Sequence, residues 1–351
     1  MKKLSKLAAV VLALAMALSL AACGSSGNSG NNAATSTPAA SSGAASASDA
    51  SAAPAGDGQT YQIGICQLVQ HEALDAANKG FQDALTEKLG DAVKFDDQNA
   101  SGDSANCSTI VNGFVSDGDD LILAIATSPL QAAAAATADI PVLGTAVTDY
   151  ATALEISDWT GTVGNNVSGT SDLAPLDQQA DMLHELFPDA KNVGLLYCSA
   201  EPNSVYQCTA IEGYLKDFGY NVTWYAFNDT NDVTAVTETA ADNSDVIYIP
   251  TDNTAASNTE AIANVVLAKK VPVIAGEEGI CNGCGVATLS ISYYDLGYQT
   301  GLMAYDILVN GADVSTMAVQ TAPNVTKKYN AANAEALGVT IPEDYEAIAT
   351  E

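Results

Sequence analysis

Asp120-Leu-Ile-Leu-Ala-Ile-Ala-Thr-Ser-Pro129 and Asp245-Val-Ile-Tyr-Ile-Pro-Thr-Asp-Asn-Thr254 share one plan: an acid, a short apolar run, then small polar residues where a helix begins. An apolar run without alternation reads as a strand buried on both faces, the kind found in a parallel sheet flanked by helices. Each stretch leads through a helix to a further strand, Ile140-Pro-Val-Leu143 after the first and Val271-Pro-Val-Ile274 after the second. The repetition implies an α/β chain of two similar, Rossmann-like, doubly wound lobes.

Before the first of these stretches come strand Tyr61 to Val69, helix Ala73 to Leu89, a strand from Val93 and helix Ala105 to Val115. Around the second stretch lie strand Val193 to Tyr197, helix Ser204 to Phe218, strand Val222 to Phe227, a weak helix near Val233 to Ala240, helix Thr254 to Leu267 and strand Val271 to Ala275. Beyond Ala287 the pattern gives strand Thr288 to Ile291, helix Asp295 to Leu308 and a tail. The expected division is 61–166 plus about 290–310 for lobe 1, and 167–289 plus about 311–351 for lobe 2. A chain divided in this way crosses between its lobes more than once, and several crossings make a hinge.

The N-terminal end has a different composition. Lys2, Lys3 and Lys6 precede the apolar run Leu7 to Leu20, which is too short to span a bilayer as a helix of about 20 residues. Residues 1–22 read as a signal peptide. The run ends in Leu20-Ala-Ala-Cys23, which looks like a bacterial lipobox with Cys23 as the lipidated residue. Residues 24–60 contain no large apolar side chain to offset the entropy of ordering, so 23–60 reads as a lipidated cysteine and a flexible linker. Over all 351 residues, 42 acids face 12 bases, every one a lysine, for a net charge of −30. Nucleic acid and anionic membrane are poor partners for such a chain, since both demand Lys/Arg counter-charge. Contact with the membrane is expected through the lipid anchor only.

Ile63-Gly-Ile-Cys-Gln-Leu-Val-Gln-His-Glu-Ala-Leu-Asp75, Ala124-Ile-Ala-Thr-Ser-Pro129, Thr145-Ala-Val-Thr-Asp149, Gly169-Thr-Ser-Asp-Leu173, Asn203-Ser204, Pro250-Thr-Asp-Asn-Thr254 and Tyr293-Tyr-Asp-Leu-Gly297 together resemble the ABC-transporter substrate-binding protein family associated with tryptophan and tyrosine. The likeness runs from Gln62 to about Gly338. It departs at Cys66, Gln70 and Glu72, and in the extra Cys281-Asn-Gly-Cys284. The resemblance implies a type I periplasmic-binding-protein fold closing on a small solute. It further implies an extracytoplasmic lipoprotein, monomeric, that captures an amino acid with an aromatic side chain (Trp, Tyr or Phe) for an ABC permease, with no cofactor and no metal.

The binding site can be placed without the family. Ligands of open parallel sheets sit beyond the carboxyl ends of the strands, where helix N-termini face outward. In lobe 1 those ends carry Gln67 and His71, then Thr127 and Ser128, then Thr148. In lobe 2 they carry Asn203 and Ser204, then Asp252 and Asn253, then Glu277 and Glu278. Ser128 before Pro129, and Asp252 before Asn253, also read as helix caps. With hydroxyls on the first rim and carboxylates on the second, a zwitterion is expected to put its carboxylate on lobe 1, at Thr127 and Ser128. Its ammonium then falls to Asp252, Glu277 and Glu278 on lobe 2.

Six cysteines follow Cys23, and spacing alone does not choose their pairing. Cys281 and Cys284 read as a loop pair, bridged or free, without the second cysteine pair or nearby histidine that a zinc site needs. Cys198 and Cys208 are candidates to bridge a strand and the helix after it. Enzymatic activity is not expected: the chain has no G-x-S-x-G elbow, no G-x-x-x-x-G-K-[ST] loop and no H-E-x-x-H, and His71 and His184 are its two histidines. A sugar-binding protein of the same fold and a transporter-independent sensor lipoprotein remain as alternative readings.

Overall fold

The computed structural model of the protein describes residues 59–349 apart from residue 323. The leader, Cys23 and the linker up to residue 58 lie outside the described residues. Among the described residues no helix is long and apolar enough to cross a membrane.

The first sheet is formed by β1 Tyr61–Gln67, β2 Val93–Asn99, β3 Leu121–Ile125, β4 Val142–Val147 and β5 Val167–Ser171, all parallel, in the order β2-β1-β3-β4-β5. The second repeats it with β6 Asn192–Cys198, β7 Asn221–Phe227, β8 Val246–Ile249, β9 Val273–Ala275 and β10 Ala287–Ser290, in the order β7-β6-β8-β9-β10. Both strands quoted at the outset are buried throughout. In the second sheet, alternate residues serve alternate faces: Ile247 and Ile249 join one apolar cluster, Val246 and Tyr248 the other. That is the period of two expected of a strand covered on both sides.

Helices cover the faces. Lobe 1 carries α1 Glu72–Leu89, α2 Ser104–Asp117, α3 Thr127–Ala136 and the single turn α4 Tyr150–Ala153. Lobe 2 carries α5 Leu176–Leu186, α6 Pro202–Asp217, α7 Val233–Asn243, the turn α8 Asn253–Ala256, α9 Thr259–Lys269 and α10 Glu278–Cys284. Helix α11 Tyr293–Leu308 returns to lobe 1 and packs on α1; β11 Gln320–Thr321 then pairs with β5. The chain finally re-enters lobe 2 with β12 Thr326–Tyr329, antiparallel to β10, then α12 Ala331–Leu337 and β13 Glu346–Ala347.

The lobes are therefore linked three times, after β5, after β10 and after β11. Two boundaries differ from the sequence expectation. Residues 167–171 form β5 of the first sheet, so the first crossing follows Ser171, not residue 166. Residues 320–321 also belong to the first sheet, so the last crossing follows Thr321, not residue 310. β5 carries no strand signal in the sequence, because Val-Ser-Gly-Thr-Ser has one large apolar side chain. Its buried hydroxyls are satisfied internally instead: Ser168 Oγ donates to Met317 O (3.0 Å), and Thr170 Oγ1 lies 3.0 Å from Thr145 Oγ1 and 2.9 Å from Thr300 Oγ1. Cys281 and Cys284 sit in a helix, α10, rather than in a loop, and all six described cysteines are buried free thiols.

Candidate functional site

The carboxyl ends of the two sheets face one another across a cleft, and the lobes meet there. His71 Nε2, between β1 and α1, lies 3.2 Å from Asn253 Oδ1 at the head of α8. Asn282 Nδ2 of α10 donates to Glu72 Oε2 of α1 (3.4 Å). The space enclosed between the rims is about 10 Å³, room for about one water, so a solute of amino-acid size requires the lobes to part.

Six of the residues expected at the site line this space: His71, Thr148, Asn203, Asp252, Asn253 and Glu277. Five do not. Gln67 turns toward α1, where Nε2 donates to Asp75 Oδ1 (2.7 Å) and Oε1 accepts from Asn78 (3.0 Å). Thr127 and Ser128 open α3 at the end of β3 but are not part of the cleft wall, and Ser204 is buried behind it. Glu278 faces an adjoining cavity of about 740 Å³ beside the hinge crossings, which shares Glu277 and Tyr293 with the cleft space; the Glu278 carboxylate is paired with Lys328 Nζ (2.8 Å) and accepts from Ser290 Oγ (2.5 Å). The cleft wall also contains Leu74, Ala146, Asp172, Thr251, Ala256 and Tyr293.

On the lobe 2 side the organising group is Glu201, a buried carboxylate that sequence reasoning passed over. It accepts from Asn253 N (3.0 Å), Asn253 Nδ2 (2.7 Å), Thr254 N (2.8 Å), Thr254 Oγ1 (2.8 Å) and Asn203 Nδ2 (3.2 Å). Five donors on one carboxylate hold the two cleft asparagines in place and cap the turn α8.

Two of the acids expected to receive an ammonium are likewise committed to backbone. Asp252 accepts from Ala255 N (2.8 Å) and Cys198 N (2.6 Å). Burial, with the neighbouring Glu201 charge, raises its carboxyl to about 8. Glu277 accepts from Gly279 N (2.6 Å) and Ile280 N (2.5 Å) as the N-cap of α10, and burial raises it to about 7. With Glu278 paired to Lys328, the second rim offers no uncommitted carboxylate.

The first rim does. Asp172, immediately after β5, is 3% exposed. Its Oδ2 accepts from Tyr293 OH (2.9 Å), while Oδ1 is buried without a hydrogen-bond partner. Burial raises this carboxyl above its ordinary range, against the hydroxyls of Tyr293 and Thr148, which favour the charged form. His71 Nδ1 is also buried and unpartnered, and desolvation lowers the affinity of the ring for a second proton. The end-of-strand rule would have found Asp172, had β5 been recognised as a strand. Ala146, in the same wall, has a φ of 53° within an irregularity of the β4–β5 pairing. Such left-handed alanines cost energy and cluster where a binding surface dictates the backbone.

Comparison with known proteins gives a consistent picture. The family described as ABC transporter substrate binding protein matches residues 62–351. A tyrosine-binding protein of Clostridioides difficile (strain R20291) is 39% identical over 262 residues, 74% of this chain and 75% of its own. The crystal structure of an ABC domain in complex with L-Trp from Streptococcus pneumonia superposes with a TM-score of 0.79 at 33% identity, covering 83% of this chain and 100% of that one. The ligand-free, open structure of a Clostridium difficile substrate binding protein with adhesive properties, at 38% identity and the same coverage of both chains, superposes with 0.64. The more similar sequence, that of the ligand-free, open structure, gives the poorer superposition.

Proposed function

The chain belongs to the ABC transporter substrate-binding protein family, with the type I periplasmic-binding-protein fold, and from that premise we propose that it captures an amino acid with an aromatic side chain between its lobes and presents it to an ABC permease. Membership makes it a solute-binding protein rather than an enzyme. The observation that carries the ligand class is the pair of relatives above 30% identity, one named for tyrosine and one holding tryptophan, which match the chain across both lobes. The geometry agrees with solute-controlled closure: two polar rims meet where His71 faces Asn253, and the rings of His71 and Tyr293 from lobe 1 and the Thr251 hydroxyl from lobe 2 line the space there. Within this reading the contacts fall to His71, Thr148, Asn203, Asn253, Thr251 and Tyr293. Gln67, Ser204, Thr127 and Ser128 support them from behind the wall.

Differential scanning fluorimetry against the twenty amino acids and common sugars tests the proposal. Tyrosine or tryptophan at a hundred times its dissociation constant should stabilise the protein by about 2.7 kcal/mol. Stabilisation by a sugar alone would remove the amino-acid reading.

The working location proposed is outside the cytoplasm, as a monomer tethered by lipid at Cys23, on the strength of Leu20-Ala-Ala-Cys23 and the short apolar run before it. Fractionation of cells expressing Cys23→Ala should find the protein released from the membrane. A variant still held firmly there would end the lipobox assignment.

A further inference from the structure

We infer that Asp172, with His71 in the same cleft wall, holds the amino group of the solute, so that the ammonium docks on lobe 1 and not on the acids of lobe 2. This inference rests on reading the cleft as an amino-acid site.

The hydrogen-bond chain fixes what each group offers. The Glu201 carboxylate only accepts, so Asn253 turns Nδ2 toward it, at 2.7 Å, and its Oδ1 toward His71. An amide oxygen is an acceptor, so the His71 nitrogen 3.2 Å away, Nε2, carries the proton. In the neutral ring Nδ1 is then a bare lone pair, and it is the buried, unpartnered atom. Asp172 Oδ1 is the other buried, unpartnered atom of this wall, its sister oxygen being occupied by Tyr293 OH. Both residues line the same small space, and there Thr148 also favours the Asp172 charge without closing a hydrogen bond to Oδ1. A group with several N–H bonds on one atom matches both.

Charge points the same way. The chain contains no arginine, and no lysine lines the cleft, so within the wall nothing cationic faces Asp172. A buried carboxylate without a counter-charge is costly, and breaking such a pair costs more than making it gains. A primary ammonium from the solute supplies the missing cation and two of the missing donors together. The acids of lobe 2 cannot compete, since Asp252 and Glu277 already accept backbone N–H groups and Glu278 holds Lys328.

Isothermal titration calorimetry on the full soluble chain decides this with defined probes: L-tyrosine and L-tryptophan, their deaminated acids 3-(4-hydroxyphenyl)propionate and indole-3-propionate, and their decarboxylated amines tyramine and tryptamine. The parent should bind each deaminated acid at least tenfold more weakly than the amino acid. Asp172→Asn should lose at least tenfold for the amino acids and for tyramine, with the deaminated acids unaffected. His71→Ala should show the same pattern at smaller amplitude. Equal binding of amino acid and deaminated acid by the parent overturns the inference, as does Asp172→Asn binding like the parent. If Asp172→Asn fails to fold, judged by its thermal transition, the analogue series on the parent decides the matter alone. If neither aromatic amino acid binds the parent, the proposed function fails separately. Asp172 is then judged on whichever solute the amino-acid and sugar panel identifies: an amine weakened by Asp172→Asn upholds it, and a neutral sugar overturns it.

Discussion

Glu277 shows how one buried carboxylate can serve the fold while looking like a ligand group. It caps α10 through two backbone N–H groups, yet burial raises it to about 7, and Asp252 is raised to about 8 by burial beside Glu201. A carboxyl whose folded pKa lies above its unfolded value near 4 binds a proton in the folded protein that the unfolded chain has already released. Stability then falls as pH rises across that window, because the native state binds more protons there than the unfolded state. Without solute, the midpoint of thermal unfolding should drop between about pH 5 and pH 8. Glu277→Gln should flatten part of that slope, at the expense of about 0.5 to 2 kcal/mol for the weakened cap. A midpoint that climbs over the interval, or an unchanged slope in the variant, would show that these carboxyls are ionised throughout. The same residue has two readings at sequence level. An acid directly after a buried strand at the cleft edge fits a cap as well as it fits a ligand contact, and only coordinates reveal which donors it has taken.

The elements were legible where apolar pattern decided them. β3 and β8 are buried from end to end, as their uninterrupted Leu, Ile, Val and Ala runs dictate, and the matching strand orders of the two sheets follow from the repeat. Helix α11 was placed on lobe 1 by its position after a crossing, and its packing explains why it stays there. A Cβ on Gly297 would sit 1.8 Å from Ala77 O, and one on Gly80 would sit 2.1 Å from Tyr294 O, so α1 and α11 touch backbone to backbone through their glycines. That contact fixes α11 to lobe 1 and makes the segment before it, after β10, a true crossing. β5 and α10 escaped notice for opposite reasons. β5 carries hydroxyls whose partners lie on other elements, so its burial leaves no apolar signature. α10 contains two glycines and begins at a cap that follows a three-residue strand, so its seven residues look like a turn. Missing β5 also hid Asp172, since the rule that places ligands beyond strand ends needs the strand first.

At the scale of the whole molecule the question is what holds the lobes together. Among the described residues two side-chain hydrogen bonds span the cleft, His71 with Asn253 and Asn282 with Glu72, each worth about 1 kcal/mol net. Against them stand the burial of Asp172 without a cation and the mutual repulsion of a chain carrying −30. Two cross-cleft bonds set against these costs leave closure open to control by a solute, which shifts the population by as much as it prefers the closed form. The three crossings permit the motion because each is a short connection between rigid sheets. Small-angle X-ray scattering should therefore give a smaller radius of gyration with saturating tyrosine or tryptophan than without. The double variant Asn253→Ala, Asn282→Ala, deprived of both cross-cleft bonds, should be the more expanded of the two proteins when no solute is present and should need more solute to contract. If the parent scatters identically with and without solute and the double variant is no larger than the parent, the lobes do not work as a closing pair. The cleft contacts would then be a fixed interface, and solute entry would have to proceed by local repacking around His71 and Asp172.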